Sequence, residues 1–101
     1  MIEVQRIKDG DPLEFDVVVR EANGESRHRV TMDRKTLKRL TADRHAPEHC
    51  VEASFRFLLD REPKESILSR FDISVISRYF PEFEQELPSY LSQLPKDDAI
   101  I

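Results

Sequence analysis

Apolar and polar residues alternate along the first third of the chain, and this alternation predicts β-structure. Between residues 13 and 20 the regularly spaced apolar positions are Leu13, Phe15, Val17 and Val19. Shorter alternating runs cover residues 2–5 and 26–32. A period of two is typical of strands that bury one face. We therefore predict three strands.

Asn23 and Gly24 separate the second and third predicted strands and indicate a two-residue hairpin turn. This pair tolerates the positive φ of a type I′ turn. With Asn23 and Gly24 as the loop, the apolar faces of the two strands coincide, which supports the register. The predicted facing pairs are Phe15 with Met32, Val17 with Val30, Val19 with His28, and Arg20 with Arg27.

After residue 32, apolar residues no longer alternate with polar ones but recur at the spacing of one helix face. Asp33 is a good N-cap for a short basic helix from Arg34 to about Thr41. Residues 46–61 are the most strongly patterned stretch and begin with Pro47, which suits a first helical turn. The apolar positions on one face of this helix are Val51, Phe55, Leu58 and Leu59. We expect this central helix to pack against Phe15, Val17 and Val30 on one side and against Leu68, Phe71, Ile76 and Phe80 on the other.

The remaining chain predicts shorter helices. One apolar helix face is formed by Ile67, Leu68 and Phe71. Asp72 can cap a further turn, and Pro88 is expected to kink or break a last helix that begins near Pro81.

The predicted fold class is α+β. An N-terminal three-stranded antiparallel sheet, with its β-hairpin at Asn23-Gly24, is followed by four to five helices packed on one face. Residues 1–94 form this single domain, and residues 95–101 form a flexible C-terminal tail.

Composition fits one soluble cytoplasmic domain of 101 residues, with 39% hydrophobic and 36% charged residues. The apolar runs are far shorter than the about 20 residues that a membrane helix needs, so we expect no membrane association. Cys50 is the single cysteine, which excludes an intramolecular disulfide and fits a reducing compartment.

Charge is distributed unevenly along the chain. Residues 27–44 contain seven basic residues and two acids, a net charge of +5, whereas residues 82–98 contain five acids and one lysine, a net charge of −4. A basic stretch is more often a solvated face, but it can also bind an anionic partner or DNA. The candidate residues for such a surface are Arg27, Arg29, Thr31, Arg34, Lys35, Lys38 and Arg39.

The usual catalytic and metal-binding arrangements are missing from the sequence. His45, His49 and Cys50 do not have the spacing of a metal site, since Cys50 points about 100° away from His49 on a helix. His28 is expected to be a partly buried, hydrogen-bonded histidine, and Cys50 a core residue. The two glycines are explained by turns, so no phosphate-binding loop is predicted. We expect no catalytic residue, no metal and no cofactor.

Aromatic residues are concentrated in the C-terminal third: Phe71, Tyr79, Phe80, Phe83 and Tyr90. Core packing is the first interpretation, because aromatic side chains dominate small cores. The alternative is an exposed patch that binds a protein partner.

Residues 27–61 resemble a ribbon-helix-helix DNA-binding module. The stretch runs Arg-His-Arg-Val-Thr-Met as a strand, then a short helix from Arg34, then a longer helix that opens Ala46-Pro47-Glu48. In that family a strand pairs with its copy from a second subunit, and alternate side chains enter the major groove. The resemblance implies that Arg27, Arg29 and Thr31 would be those side chains.

Three features depart from this pattern. The strand already has an in-chain partner through Asn23-Gly24, and no glycine lies between the two helices. Glu48 at the start of the second helix would repel a DNA phosphate.

Two functional hypotheses follow. The first is a non-enzymatic protein that acts by protein–protein contact or regulation, with an unknown protein partner or with a second copy of itself in a homodimer. The alternative is a ribbon-helix-helix-like transcriptional regulator or antitoxin that binds DNA. The chain, including Asp-Arg-Glu-Pro-Lys-Glu-Ser-Ile-Leu from Asp60, is also similar to small bacterial proteins of an uncharacterised family, which implies a bacterial cytoplasmic origin and no site.

Overall fold

A four-stranded sheet forms one layer of the fold. The computed structural model describes residues 1–93, and its strands are β1 (Ile2–Asp9), β2 (Leu13–Glu21), β3 (Gly24–Met32) and β4 (Arg70–Asp72). Their spatial order is β1-β2-β3-β4; the first three pair antiparallel, and β4 is parallel to β3. The predicted α+β class and antiparallel strands are confirmed, but the fourth strand was not predicted.

Helices cover one face of this sheet. They are α1 (Arg34–Thr41), α2 (Pro47–Leu59), α3 (Ile76–Tyr79) and α4 (Phe83–Gln93), with 3-10 turns at Lys64–Ser66 and Ile73–Val75. The predicted tail at residues 95–101 lies outside the described residues.

The hydrophobic core lies between the two layers. The sheet residues that are fully or almost fully buried in it are Leu13, Phe15, Val17, Val19, Val30 and Met32. These are the alternate positions that the sequence pattern predicts, because successive side chains of a strand point to opposite faces. The opposite face of the sheet carries mainly charged side chains.

The start and end of α1 are fixed by local hydrogen bonds. The Asp33 side chain accepts a bond of 2.7 Å from the backbone N–H of Thr36, which confirms the predicted N-cap. The helix ends at Ala42 (φ 52°), whose N–H donates to the Lys38 carbonyl, and Asp43 is also left-handed with φ 60°.

The central helix α2 begins with Pro47, as predicted, and is buried over most of its circumference. Its two phenylalanines contact different partners. The Phe55 ring lies 5.3 Å from the ring of His28 and 5.9 Å from that of Phe71. The Phe57 ring makes edge contacts with the rings of Phe80, Phe83 and Tyr90. The helix therefore connects the sheet to the C-terminal helices.

The predicted hairpin register is wrong by two residues. Phe15 faces Val30, Leu13 faces Met32, and Glu21 faces Gly24. Ala22 and Asn23 occupy the turn, while Gly24 begins β3 with φ 131°. The expected contact between Arg20 and Arg27 is also wrong, because Arg20 lies opposite Glu25 and forms ion pairs with Glu25 and Glu3. A shift of two preserves both faces, so the correct residues are buried nevertheless.

The predicted helix around residues 67–71 is wrong. Phe71 lies in β4, which is separated from the 3-10 turn by an extended Ile67 and by Leu68 and Ser69. Leu68 is 49% exposed instead of packing under α2. Asp72 does cap the next turn, since its carboxylate accepts from the N–H of Ser74 at 3.0 Å.

The last helix is not broken by its proline. α4 is a single helix of 11 residues, with Pro88 in its interior and on its exposed side. Phe83, Leu87 and Leu91 form its buried face.

Candidate functional site

The predicted basic residues of β3 are paired with acids on the exposed face of the sheet. Arg27 lies 2.9 Å from Glu25. Arg29 contacts two carboxylates of β2, at 2.8 Å to Glu14 and 2.7 Å to Asp16. Thr31 donates a bond of 2.6 Å to Asp72 of β4. This face therefore carries charge pairs within β3 and between β2 and β3 rather than a purely basic surface.

The predicted basic residues of α1 divide into two groups. Arg34 contacts Asp9 at 2.8 Å, and Arg39 contacts Glu84 of α4 at 2.9 Å. Lys35 and Lys38 are exposed and make no ion pair with another residue in the range 1–93. The structure thus does not bring the six basic candidates together as free cations, and Thr31 is hydrogen-bonded to Asp72.

Both edges of β3 are occupied within the chain. β2 pairs along one edge, and β4 pairs with Arg29–Thr31 along the other. A ribbon formed with a second copy would need that second edge. Glu48, at the start of α2, accepts two hydrogen bonds from the Arg6 guanidinium, at 2.8 and 2.9 Å.

The cysteine and histidines do not form a reactive cluster. Cys50 is fully buried, and burial raises the pKa of its thiol to about 12. Among residues 1–93, no group of three or more His, Cys, Asp or Glu side chains could hold a metal ion. No helix in that same part of the chain is both long and apolar enough to cross a membrane.

An apolar groove of about 360 Å³ lies where the end of α2, the β4 segment and α3 meet. Its apolar lining consists of Leu58, Ile67, Phe71, Val75, Ile76 and Phe80. Leu68 and Tyr79 stand on its rim and are 49% and 69% exposed. A volume of this order accommodates a few apolar side chains.

His28 fixes one wall of the groove. Its Nδ1 lies 2.7 Å from the carbonyl oxygen of Leu68, and its Nε2 lies 2.8 Å from the hydroxyl of Ser26. Because a carbonyl oxygen only accepts, Nδ1 carries the proton. The predicted hydrogen bonding of His28 is confirmed, and the side chain, which was expected to be partly buried, is only 4% exposed. It holds the backbone of the groove wall.

Glu62 is the acidic residue in the groove lining. Its N–H donates to the carbonyl of Leu58 at 2.9 Å, so the helical path of α2 continues far enough to place Glu62 beside Leu58. Burial against the apolar lining raises the pKa of its carboxyl. Within the described chain this carboxylate has no hydrogen-bond or ion-pair partner.

The sequence indicated only part of this groove. Tyr79 and Phe80 belong to the aromatic set for which an exposed patch was the alternative interpretation. Glu62 and Leu68 were not predicted, because one lies in a charged turn and the other was assigned to a buried helix face. Leu68 is exposed because the segment after it pairs as β4, and a strand of three residues is too short to show an alternating sequence pattern.

Comparison with known proteins finds no match to a protein-family model, to a curated protein or to a solved structure.

Proposed function

We propose that the protein is a non-enzymatic binding module of the cytoplasm that holds a segment of a protein partner in the apolar groove. The observation that carries this proposal is the open apolar lining with Leu68 and Tyr79 exposed at its rim. Tyrosine is a frequent anchor of protein interfaces, and exposed apolar surface is typical of interaction sites.

The wall of the groove is suited to binding because it is held in place before any partner arrives. The hydrogen bond from His28 fixes the Leu68 carbonyl, and Phe71 is held by pairing with Val30 and by contact with Phe55. A preformed groove loses little conformational entropy when a ligand binds.

The test is a selection of peptides from a random library displayed on phage, with the purified protein as target. Selected peptides are synthesised, and their Kd values are measured by fluorescence anisotropy. We expect Leu68→Asp to weaken binding at least about tenfold, because it places a charge where apolar surface is buried. Tyr79→Ser should weaken the same peptides.

Ile7→Ser is the matched control, since Ile7 is 41% exposed but lies in β1, outside the groove. This variant should bind like the wild type. Peptides that bind the wild type and Leu68→Asp equally well would contradict the proposal, as would a selection without binders.

DNA binding is the second candidate, supported by the exposed and unpaired Lys35 and Lys38 of α1. Its test is an anisotropy titration of duplex DNA at several salt concentrations, with light scattering for the oligomeric state. Tight binding that falls steeply with salt and is lost in Lys35→Ala plus Lys38→Ala would favour it. A protein without affinity for DNA at low salt would remove it.

A further inference from the structure

We infer that the groove takes a peptide segment in which a lysine or arginine lies next to bulky apolar residues, with the basic side chain paired to Glu62. This inference rests on the proposed function, because it names the chemistry of the partner for the same groove. The observation that points to it is that Glu62 is the one charged side chain in a mainly apolar lining, which also includes Ser66, and that its carboxylate has no ion-pair partner in the described chain.

The cations nearest to Glu62 in the sequence are engaged elsewhere. Arg61 contacts Glu82 at 3.1 Å and Glu86 at 2.7 Å, and its guanidinium also lies over the ring of Phe57. These contacts draw Arg61 toward α4, away from the groove.

Lys64, two residues after Glu62, is likewise engaged. Its ammonium group contacts Glu65 at 2.7 Å, Asn23 at 3.0 Å and Glu21 at 3.2 Å. The Lys64 side chain is almost completely buried in this arrangement. Neither Arg61 nor Lys64 can turn to Glu62 without breaking several existing contacts.

A basic group on the partner would restore the missing interaction. The Glu62 carboxylate lies partly out of water, so a cation placed beside it gains more than it would at an open surface. The apolar lining would contact the apolar side chains of the partner. The negative charge of Glu62 would fix the register of the peptide in the groove, because the basic residue has to lie beside it. A neutral apolar segment would instead remove more water from the carboxylate without compensating it.

The experiment applies the random phage library to three forms of the protein: wild type, Glu62→Gln and Glu62→Lys. Wild type should select peptides in which lysine or arginine adjoins large apolar residues. Those peptides should bind Glu62→Gln about tenfold more weakly, because the variant keeps the shape but loses the charge. Glu62→Lys should select aspartate or glutamate at the same place in the peptides.

Glu52→Gln is the matched control, since Glu52 is an acid of α2 that contacts Arg56 and does not line the groove. It should leave the affinity unchanged. Circular dichroism of each variant confirms folding before the affinities are compared.

The outcomes separate this inference from the proposed function. Peptides that depend on Leu68 but lack a basic residue, or that bind Glu62→Gln as tightly as wild type, would overturn the inference and leave the proposed function intact. Absence of any Leu68-dependent peptide would overturn both. A wild-type dimer that Leu68→Asp converts to a monomer would assign the groove to a second copy of the chain and also overturn the inference.

Discussion

The negative charge of the Glu48 carboxylate is stabilised by two neighbouring features of the fold. The carboxylate receives a bidentate pair of hydrogen bonds from Arg6 of β1, and it lies in the first turn of α2. The Arg6 guanidinium and the positive end of the α2 dipole both stabilise this negative charge. The hydrogen bonds from Arg6 lower the pKa of this carboxyl, and its partial burial opposes that effect.

Replacing Glu48 by glutamine should therefore destabilise the protein in a pH-dependent way. A carboxyl with a lowered pKa in the folded state contributes stability above its unfolded pKa of about 4.3, and this is lost as the pH falls through the folded pKa. At pH 7 we expect Glu48→Gln to reduce the free energy of unfolding by about 1 kcal/mol. The measurement is urea unfolding of both proteins at neutral and acidic pH.

Glu52→Gln is the control one turn further along α2, where a single contact of 3.3 Å joins Glu52 to Arg56. An i,i+4 pair of this kind is worth only about 0.3–0.5 kcal/mol. A Glu48→Gln deficit that stays constant from neutral to acidic pH would disprove the assigned cause.

Pro88 lies in the interior of α4, where a proline is unfavourable. A proline has no N–H and cannot donate to the carbonyl four residues earlier, yet the helix continues from Phe83 to Gln93. Pro88→Ala should restore that hydrogen bond and raise the free energy of unfolding by about 2 kcal/mol. Alanine is favoured over proline in a helix interior by about 3 kcal/mol. Part of this gain is offset because alanine also raises the conformational entropy of the unfolded chain.

The check is the urea midpoint of Pro88→Ala, with Gln85→Ala as control at another exposed position of α4. The control should change the free energy of unfolding by less than about 0.5 kcal/mol. A midpoint for Pro88→Ala at or below that of wild type would show that proline stabilises this helix.

The elements differ in how well the sequence predicts them. α1 and α2 were predicted nearly to the residue because Asp33 and Pro47 mark their starts and a regular apolar face follows. The hairpin register was wrong because a shift of two leaves the same residues on the same face, so apolar matching cannot detect it. The two registers differ in their polar contacts, because Arg20 lies opposite Glu25 in the observed register and opposite Arg27 in the predicted one.

On the scale of the whole molecule, the uneven charge of the sequence is largely balanced in space. The contacts of Arg39 with Glu84 and of Arg29 with Glu14 and Asp16 bring acids from other elements to the basic stretch. These pairs join residues far apart in the chain, so net charge along the sequence could not predict them. The groove could not be predicted from the sequence for the same reason, because its walls come from α2, β4 and α3.

We expect the parallel strand β4 to pair late when the protein folds. Thr31 and Asp72, which share a hydrogen bond across β3 and β4, are separated by 41 positions in the chain. The β2–β3 hairpin joins residues that are close in the chain, whereas the pairing of β3 with β4 closes a much longer loop, so we expect β4 to pair after the hairpin.

The same strand should be among the first to open when the folded protein fluctuates. β4 has only three residues and lies at a sheet edge, so we expect its segment to exchange backbone hydrogen for deuterium faster than the centre of the β2–β3 hairpin. Mass spectrometry of native-state exchange would measure this difference, and equal rates would refute it. Because Phe71 of β4 lines the groove, each such opening would also dismantle the groove, and a bound peptide would slow the exchange of β4 in proportion to its affinity.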